Sequence, residues 1–147
     1  MYNFIYEKVN TIEEVEKLLN ESEETKILAG GQTLIPTMKQ RLASPSTLVD
    51  ICGIDQLNFI NDNGNSVIIG STTTHNTVSS SDIVINKIPS LASLAEGIGD
   101  PHVRNMGTIG GSIANNDPTA DYPTAVSYTH LRAHETVLDL VCRLLLE

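Results

Sequence analysis

Residues 107–121 read GTIGGSIANNDPTAD. A β-prone Thr-Ile precedes Gly110-Gly111, and small residues, two Asn and an Asp-Pro follow. Long side chains are almost absent. This composition suits a backbone that must come close to something flat or charged, because glycine admits positive φ and carries no Cβ. Ser112, Asn115 and Asn116 can donate hydrogen bonds into the cleared space. A second stretch of the same character, ILAGGQTLIP, lies upstream at residues 27–36. The expectation is that the two hold one ligand between them.

Each stretch reads as a strand running into Gly-Gly and then a helix. The first turn of a helix has unpaired N–H groups and a partial positive charge. A diphosphate fits there without any lysine. Ala29, Gly30, Gly31, Gln32, Thr33 and Leu34 would supply donors, with the Thr33 hydroxyl added. Gly110, Gly111 and Ser112 would do the same from the other side. Asp121 is suited to accept from a ribose or ribityl hydroxyl. The upstream stretch lacks the Gly-Lys-Ser/Thr ending of a Walker A loop, and it is not Gly-x-Gly-x-x-Gly.

The bulk properties narrow the ligand class. The 147 residues carry a formal charge of −9 and suffice for one domain with a hydrophobic core. So acidic a chain repels nucleic acid and anionic membranes. Any phosphate must then be held by main-chain N–H groups. Cys52 and Cys142 have no metal-ligand spacing and read as free thiols of a reducing cytosol. No apolar run reaches membrane-spanning length and the N-terminus lacks a signal pattern, so the expected compartment is the cytoplasm.

Along the chain, Phe4–Tyr6 is β-prone. Thr11 with Glu14 forms a capping box ahead of Ile12, Val15, Leu18 and Leu19, which repeat at helical spacing. Lys26–Ala29 reads as a buried strand, Leu34–Leu42 as a helix with Pro36 in its first turn, and Thr47–Ile51 as a strand. The first 51 residues therefore predict β-α-β-α-β. Leu57–Ile60 and Ser66–Gly70 flank an Asn63-Gly64 hairpin signal. Thr72–Ser81 reads as a loop into a short capped helix that opens near His75. Ile88–Ile98 reads as a helix, Asp100-Pro101 as a turn, and the residues from there to Gly107 as a loop.

ILAGGQTLIPTMKQRLASPSTLVDI, with RNMGTIGGSIANNDPTADYP downstream, resembles the FAD-binding medium subunit of molybdenum hydroxylases, a family that includes aerobic carbon monoxide dehydrogenase and xanthine dehydrogenase. The resemblance covers about residues 1–125. It implies an α+β fold, the FAD-binding domain of the p-cresol methylhydroxylase type. Two small α/β subdomains would flank the flavin, residues 1–55 forming the first and 56–126 part of the second. It implies that Ala29–Leu34 wrap the FAD pyrophosphate and that Thr108, Gly110, Gly111 and Ser112 clasp it from the other side. Asn116 and Asp121 would bind ribityl or ribose hydroxyls, and Ile27 and Ile109 would touch the rings. Val103-Arg104-Asn105 matches the family's Ile-Arg-Asn pattern with Val in first place. The implied activity is that of an oxidoreductase component. It would pass electrons from iron–sulfur clusters through FAD to an acceptor, with a molybdenum-cofactor large subunit and an iron–sulfur small subunit as partners. No catalytic acid, base or nucleophile and no metal ligand is expected from this chain. An inert fragment or a nucleotide-binding module without a redox role is the alternative.

Residues 127–147, SYTHLRAHETVLDLVCRLLLE, depart from the family pattern. They resemble translated adaptor or vector read-through, helical in period, and are expected to be foreign to the protein. His130 and His134 stand four apart there without a third ligand, so no metal site is expected.

Overall fold

The computed structural model describes residues 1–122. The helical reading of residues 127–147, the His130–His134 pair, Cys142 and the family continuation past Tyr122 lie outside the described residues.

A parallel pair of strands needs a long crossover, and helices supply it in the first half. Strands β1 (Ile5–Lys8), β2 (Thr25–Leu28) and β3 (Thr47–Asp50) form a parallel sheet in the order β1-β3-β2. Helix α1 (Ile12–Glu21) connects β1 to β2, and helix α2 (Leu34–Lys39) connects β2 to β3. Side chains alternate across a sheet, and both faces are used. Ile27 and Val49 join Val9, Val15, Ile54 and the apolar stripe of α1, while Leu28 and Leu48 join Met38, Leu34 and Ile35 of the α2 side. Each fully buried Leu or Val contributes roughly 1.5–3 kcal/mol.

The α1 start follows its sequence signal. Thr11 Oγ1 accepts from the Glu14 N–H at 3.3 Å, and the Glu14 carboxylate accepts from the Thr11 N–H at 3.2 Å. Helix α2 is shorter than its pattern predicts. It stops at Lys39 because Arg41 turns left-handed, with φ 62°, and its guanidinium lies 5.6 Å from the centre of the Tyr2 ring.

The second half holds an antiparallel hairpin, β4 (Ile60–Asp62) and β5 (Val67–Ile69), turned at Gly64 with φ 83°. Leu57 sits in a short 3-10 turn, Asp55–Leu57, and not in the strand its β-propensity predicts. Five short helices follow: α3 (His75–Ser80), α4 (Asp82–Lys87), α5 (Pro89–Gly97), α6 (Pro101–Met106) and α7 (Ile109–Asn115). Their core joins Val78, Val84, Leu91, Ala92, Ala95, Ile98, Ile109 and Tyr122.

Two of these helices correct the reading of the sequence. Residues 101–106 are helix α6 and not a loop. Asp100 accepts from the N–H groups of His102 at 2.7 Å and Val103 at 3.0 Å, and Pro101 sits in the first turn, where a missing N–H costs nothing. Helix α4 was not expected and follows α3 with only Ser81 between them. No described helix is long and apolar enough to cross a membrane.

Candidate functional site

The Gly-rich stretches touch each other. Gly30 is buried, and a methyl group added to it would overlap the Met106 carbonyl oxygen and lie 2.7 Å from the Gly107 Cα. A Cβ on Gly111 would stand 3.7 Å from the Ala29 methyl. Gly31 is left-handed at φ 71°, a region that favours glycine. It turns the chain from β2 into α2, and Ile35 N–H closes the turn on the Gly31 carbonyl at 3.0 Å.

Thr108 caps α7, its hydroxyl accepting from the Gly111 N–H at 3.0 Å. The helix therefore begins at Ile109, and Gly110 and Gly111 belong to its first turn. This corrects the expectation that both stretches offer free donors. Gly110 N–H donates to the Ser71 carbonyl at 3.0 Å, Ile109 N–H to Thr73 at 3.0 Å, and Ser112 N–H to Thr108 at 3.0 Å. The downstream N–H groups are spent inside the protein. Upstream, the main-chain N–H groups of Ala29, Gly30, Gly31, Gln32, Thr33 and Leu34 make no hydrogen bond among the described residues. Gln32 and Thr33 are exposed, and the Gln32 side chain donates to the Gly30 carbonyl at 2.9 Å, bracing the turn.

The other sequence-derived residues divide by what their side chains already touch. Ile27 packs under α1, and Leu34 packs against the Leu28–Met38–Leu48 cluster. Ile109 is buried among the helices of the second half. Neither Ile27 nor Ile109 has a side chain free for a ring. The hydroxyls of Thr33 and Ser112 have no partner among the described residues. Asn116 ends α7 in the left-handed region, φ 47°, where Asn is well tolerated. Asp121 is exposed and shares an open groove with Ser90, Ser93, Leu94 and Gly97 of α5 rather than with either glycine stretch. Arg104 donates to the carbonyls of Ile98 at 3.2 Å and Gly99 at 3.3 Å, locking the turn between α5 and α6.

Sequence reasoning missed the third wall, Ser71–Thr74. This segment accepts the Ile109 and Gly110 N–H groups, and Thr74 forms an antiparallel bridge with Thr108. A Cβ on Gly110 would lie 2.5 Å from Ser71. The Thr72 hydroxyl is buried without a partner among the described residues. The run of β-branched Thr was the available signal, since such residues favour extended backbone. Behind this wall, His75 is buried, and burial pushes its pKa below the ordinary value while Asp121 pulls it back. Its Nδ1 shares a 2.8 Å hydrogen bond with the Tyr122 hydroxyl, whose own pKa is pushed up by burial and then by Asp121. Away from this region, Cys52 is a free thiol. Although the residue is exposed, partial desolvation of its thiol and then the Asp50 carboxylate push its pKa up to about 11.

These features make a turn whose main-chain donors from Ala29 to Leu34 are free among the described residues, welded to a capped helix whose own donors are consumed. It carries no lysine or arginine. The donor set fits a diphosphate, and it fits the FAD expected from the sequence on the upstream side only.

A family described as "FAD binding domain in molybdopterin dehydrogenase" matches residues 2–132. The glyceraldehyde dehydrogenase medium chain of Sulfolobus acidocaldarius is 41% identical over 124 residues, which are 84% of this chain and 44% of that one. The carbon monoxide dehydrogenase medium chain of Hydrogenophaga pseudoflava is 44% identical over 121 residues, 82% of this chain and 42% of the relative. Among solved structures, carbon monoxide dehydrogenase from Hydrogenophaga pseudoflava superposes with a TM-score of 0.82 at 43% identity. The match covers 84% of this chain and 44% of that one. Quinoline 2-oxidoreductase from Pseudomonas putida 86 also superposes with a TM-score of 0.82, at 31% identity. The chain spans less than half the length of these relatives.

Proposed function

The chain belongs to the family of FAD-binding domains found in molybdopterin dehydrogenases, and from that premise we propose that it carries FAD within a multi-subunit oxidoreductase. Its fold is the FAD-binding domain of the p-cresol methylhydroxylase type. FAD, when bound, would supply the redox chemistry by which electrons from iron–sulfur clusters of a partner subunit would reach an acceptor. A molybdenum-cofactor subunit and an iron–sulfur subunit are the proposed partners, and the cytoplasm is the proposed compartment. Choice of substrate belongs to the molybdenum subunit.

The chain's own part is binding and orientation. Residues 1–55 and 56–126 act as two subdomains on either side of the dinucleotide. The free N–H groups of Gly30, Gly31, Gln32 and Thr33 hold the diphosphate, and the Thr33 and Ser112 hydroxyls add donors. Ala29 and Leu34 shape this turn. Thr108, Ile109, Gly110 and Gly111 form the opposing wall through their main chain and do not supply N–H groups. Asn116, exposed at the end of α7, takes a sugar hydroxyl, whereas Asp121 lies along the α5 groove apart from both glycine stretches and takes none. The observation that carries this reading is the contact of the two glycine stretches beside the unspent donors of the Ala29–Leu34 turn.

The test is a visible spectrum of the purified chain after mixing with FAD and gel filtration. Flavin bands that travel with the protein are expected. Gly111→Trp wedges an indole between α7 and Ala29 and is expected to lose those bands. Full flavin content in that variant contradicts the assignment.

A further inference from the structure

His75 is buried and lies outside the donor set, yet three contacts tie it to that set. Its main-chain N–H donates to the Gly107 carbonyl at 3.0 Å. Its ring packs against Gly107 so closely that a Cβ there would come within 2.8 Å of Nε2 and 2.9 Å of Cδ2. Its Nδ1 is fixed by the Tyr122 hydroxyl at 2.8 Å. Gly107, on its other side, is the residue against which Gly30 closes. The contacts therefore run from Tyr122 to His75, to Gly107, and to the Gly30–Thr33 turn that carries the free donors.

We propose that His75, held by Tyr122, is a positioning residue for the FAD diphosphate, because its ring sets how far Gly107 can retreat and so where the Gly30–Thr33 turn stands against α7. This rests on the reading that the turn binds FAD. A shorter side chain at position 75 opens a gap behind Gly107. The turn then samples positions in which its N–H groups no longer converge, and each donor loses strength as its geometry departs from linear. The hydrogen bond between the Tyr122 hydroxyl and Nδ1 resists rotation of the ring away from this contact. The site's affinity is thus controlled by a pair that never touches the ligand.

The experiment is an FAD titration of the 147-residue chain, followed by flavin fluorescence, for the wild type and four variants. His75→Ala is expected to weaken binding roughly five- to tenfold, the scale of one net hydrogen bond. His75→Asn keeps an amide atom where Nδ1 stands, able to pair with Tyr122 as donor or acceptor, and is expected to recover part of that loss. Tyr122→Phe removes one oxygen and is expected to weaken binding about threefold. Val15→Ala empties the separate core under α1, which shares no residue with the cluster around Tyr122, and is expected to leave affinity within about twofold at a temperature where it stays folded. Wild-type affinity in His75→Ala or Tyr122→Phe overturns the proposal, as does an equal loss in Val15→Ala. If His75→Ala does not fold, Tyr122→Phe and His75→Asn decide by the same criteria. A wild type that takes up no FAD overturns the parent reading itself, which separates the two failures.

Discussion

Glycine in this protein does more joining than clearing. At Gly30 and Gly110 the space left by the absent Cβ is filled by the chain's own backbone, by Met106–Gly107 in one case and Ser71 in the other. Gly30→Ala is therefore expected to destabilise the fold by about 1–3 kcal/mol, the range for overpacking against a backbone that cannot yield. Urea denaturation measures it. Gly31→Ala fails for a different reason, since φ 71° costs a non-glycine residue roughly 1–2 kcal/mol. His75 adds a pH dependence. In the unfolded chain it titrates near 6.5, and burial lowers the folded value. The folded chain then binds fewer protons, so this stability is complete above about pH 6.5. It is lost as pH falls below that value and levels off once the folded His75 protonates. Asp121 opposes the shift. His75→Asn is expected to flatten the slope of unfolding free energy on the acid side of neutrality. Asp62, Asp100 and Asp117, held below the usual carboxylate range by backbone and side-chain donors, lose their contribution at more acid pH still.

Local signals found most of the elements. The Thr11–Glu14 capping box, the Asn63-Gly64 turn and the short strand runs Lys26–Ala29 and Thr47–Ile51 each depend on a few neighbouring residues, and the structure holds all of them. Helix α6 was equally visible in principle. Asp100 as cap and Pro101 in the first turn are a helix start, but a six-residue helix shows too little apolar period to separate it from a turn. The start of α7 at Thr108 was misread because Thr-Ile favours strands when taken alone. That Ser71 and Thr73 consume the Gly110 and Ile109 N–H groups could not be read from spacing, because these partners are distant in sequence. Thr108→Val tests the cap. Without the hydroxyl the Gly111 N–H is left open, and stability is expected to fall by about 1 kcal/mol. Thermal unfolding followed by circular dichroism reads the change.

Over the whole molecule, a parallel sheet with helices on both faces and a helical half with a hairpin are joined where Gly30 meets Gly107. The candidate site sits at that joint. Its upstream half was legible as a Gly-Gly turn, while the third wall and the His75–Tyr122 brace depend on packing that no local pattern announces. A ligand that binds only the folded joint stabilises it by mass action. FAD at a hundred times its dissociation constant is expected to add about 2.7 kcal/mol and raise Tm accordingly. AMP at the same concentration is expected to do less, because it lacks the diphosphate bridge.

Amide resonances of the 15N-labelled chain, followed during addition of FAD, test most directly whether one diphosphate is held by the upstream turn against a closed downstream wall. Large shifts at Gly30, Gly31, Gln32 and Thr33 are predicted, with Gly110 and Gly111 staying protected from hydrogen exchange in both states. Shifts confined to other residues, or rapid exchange at Gly110 and Gly111 in the folded chain, would contradict it.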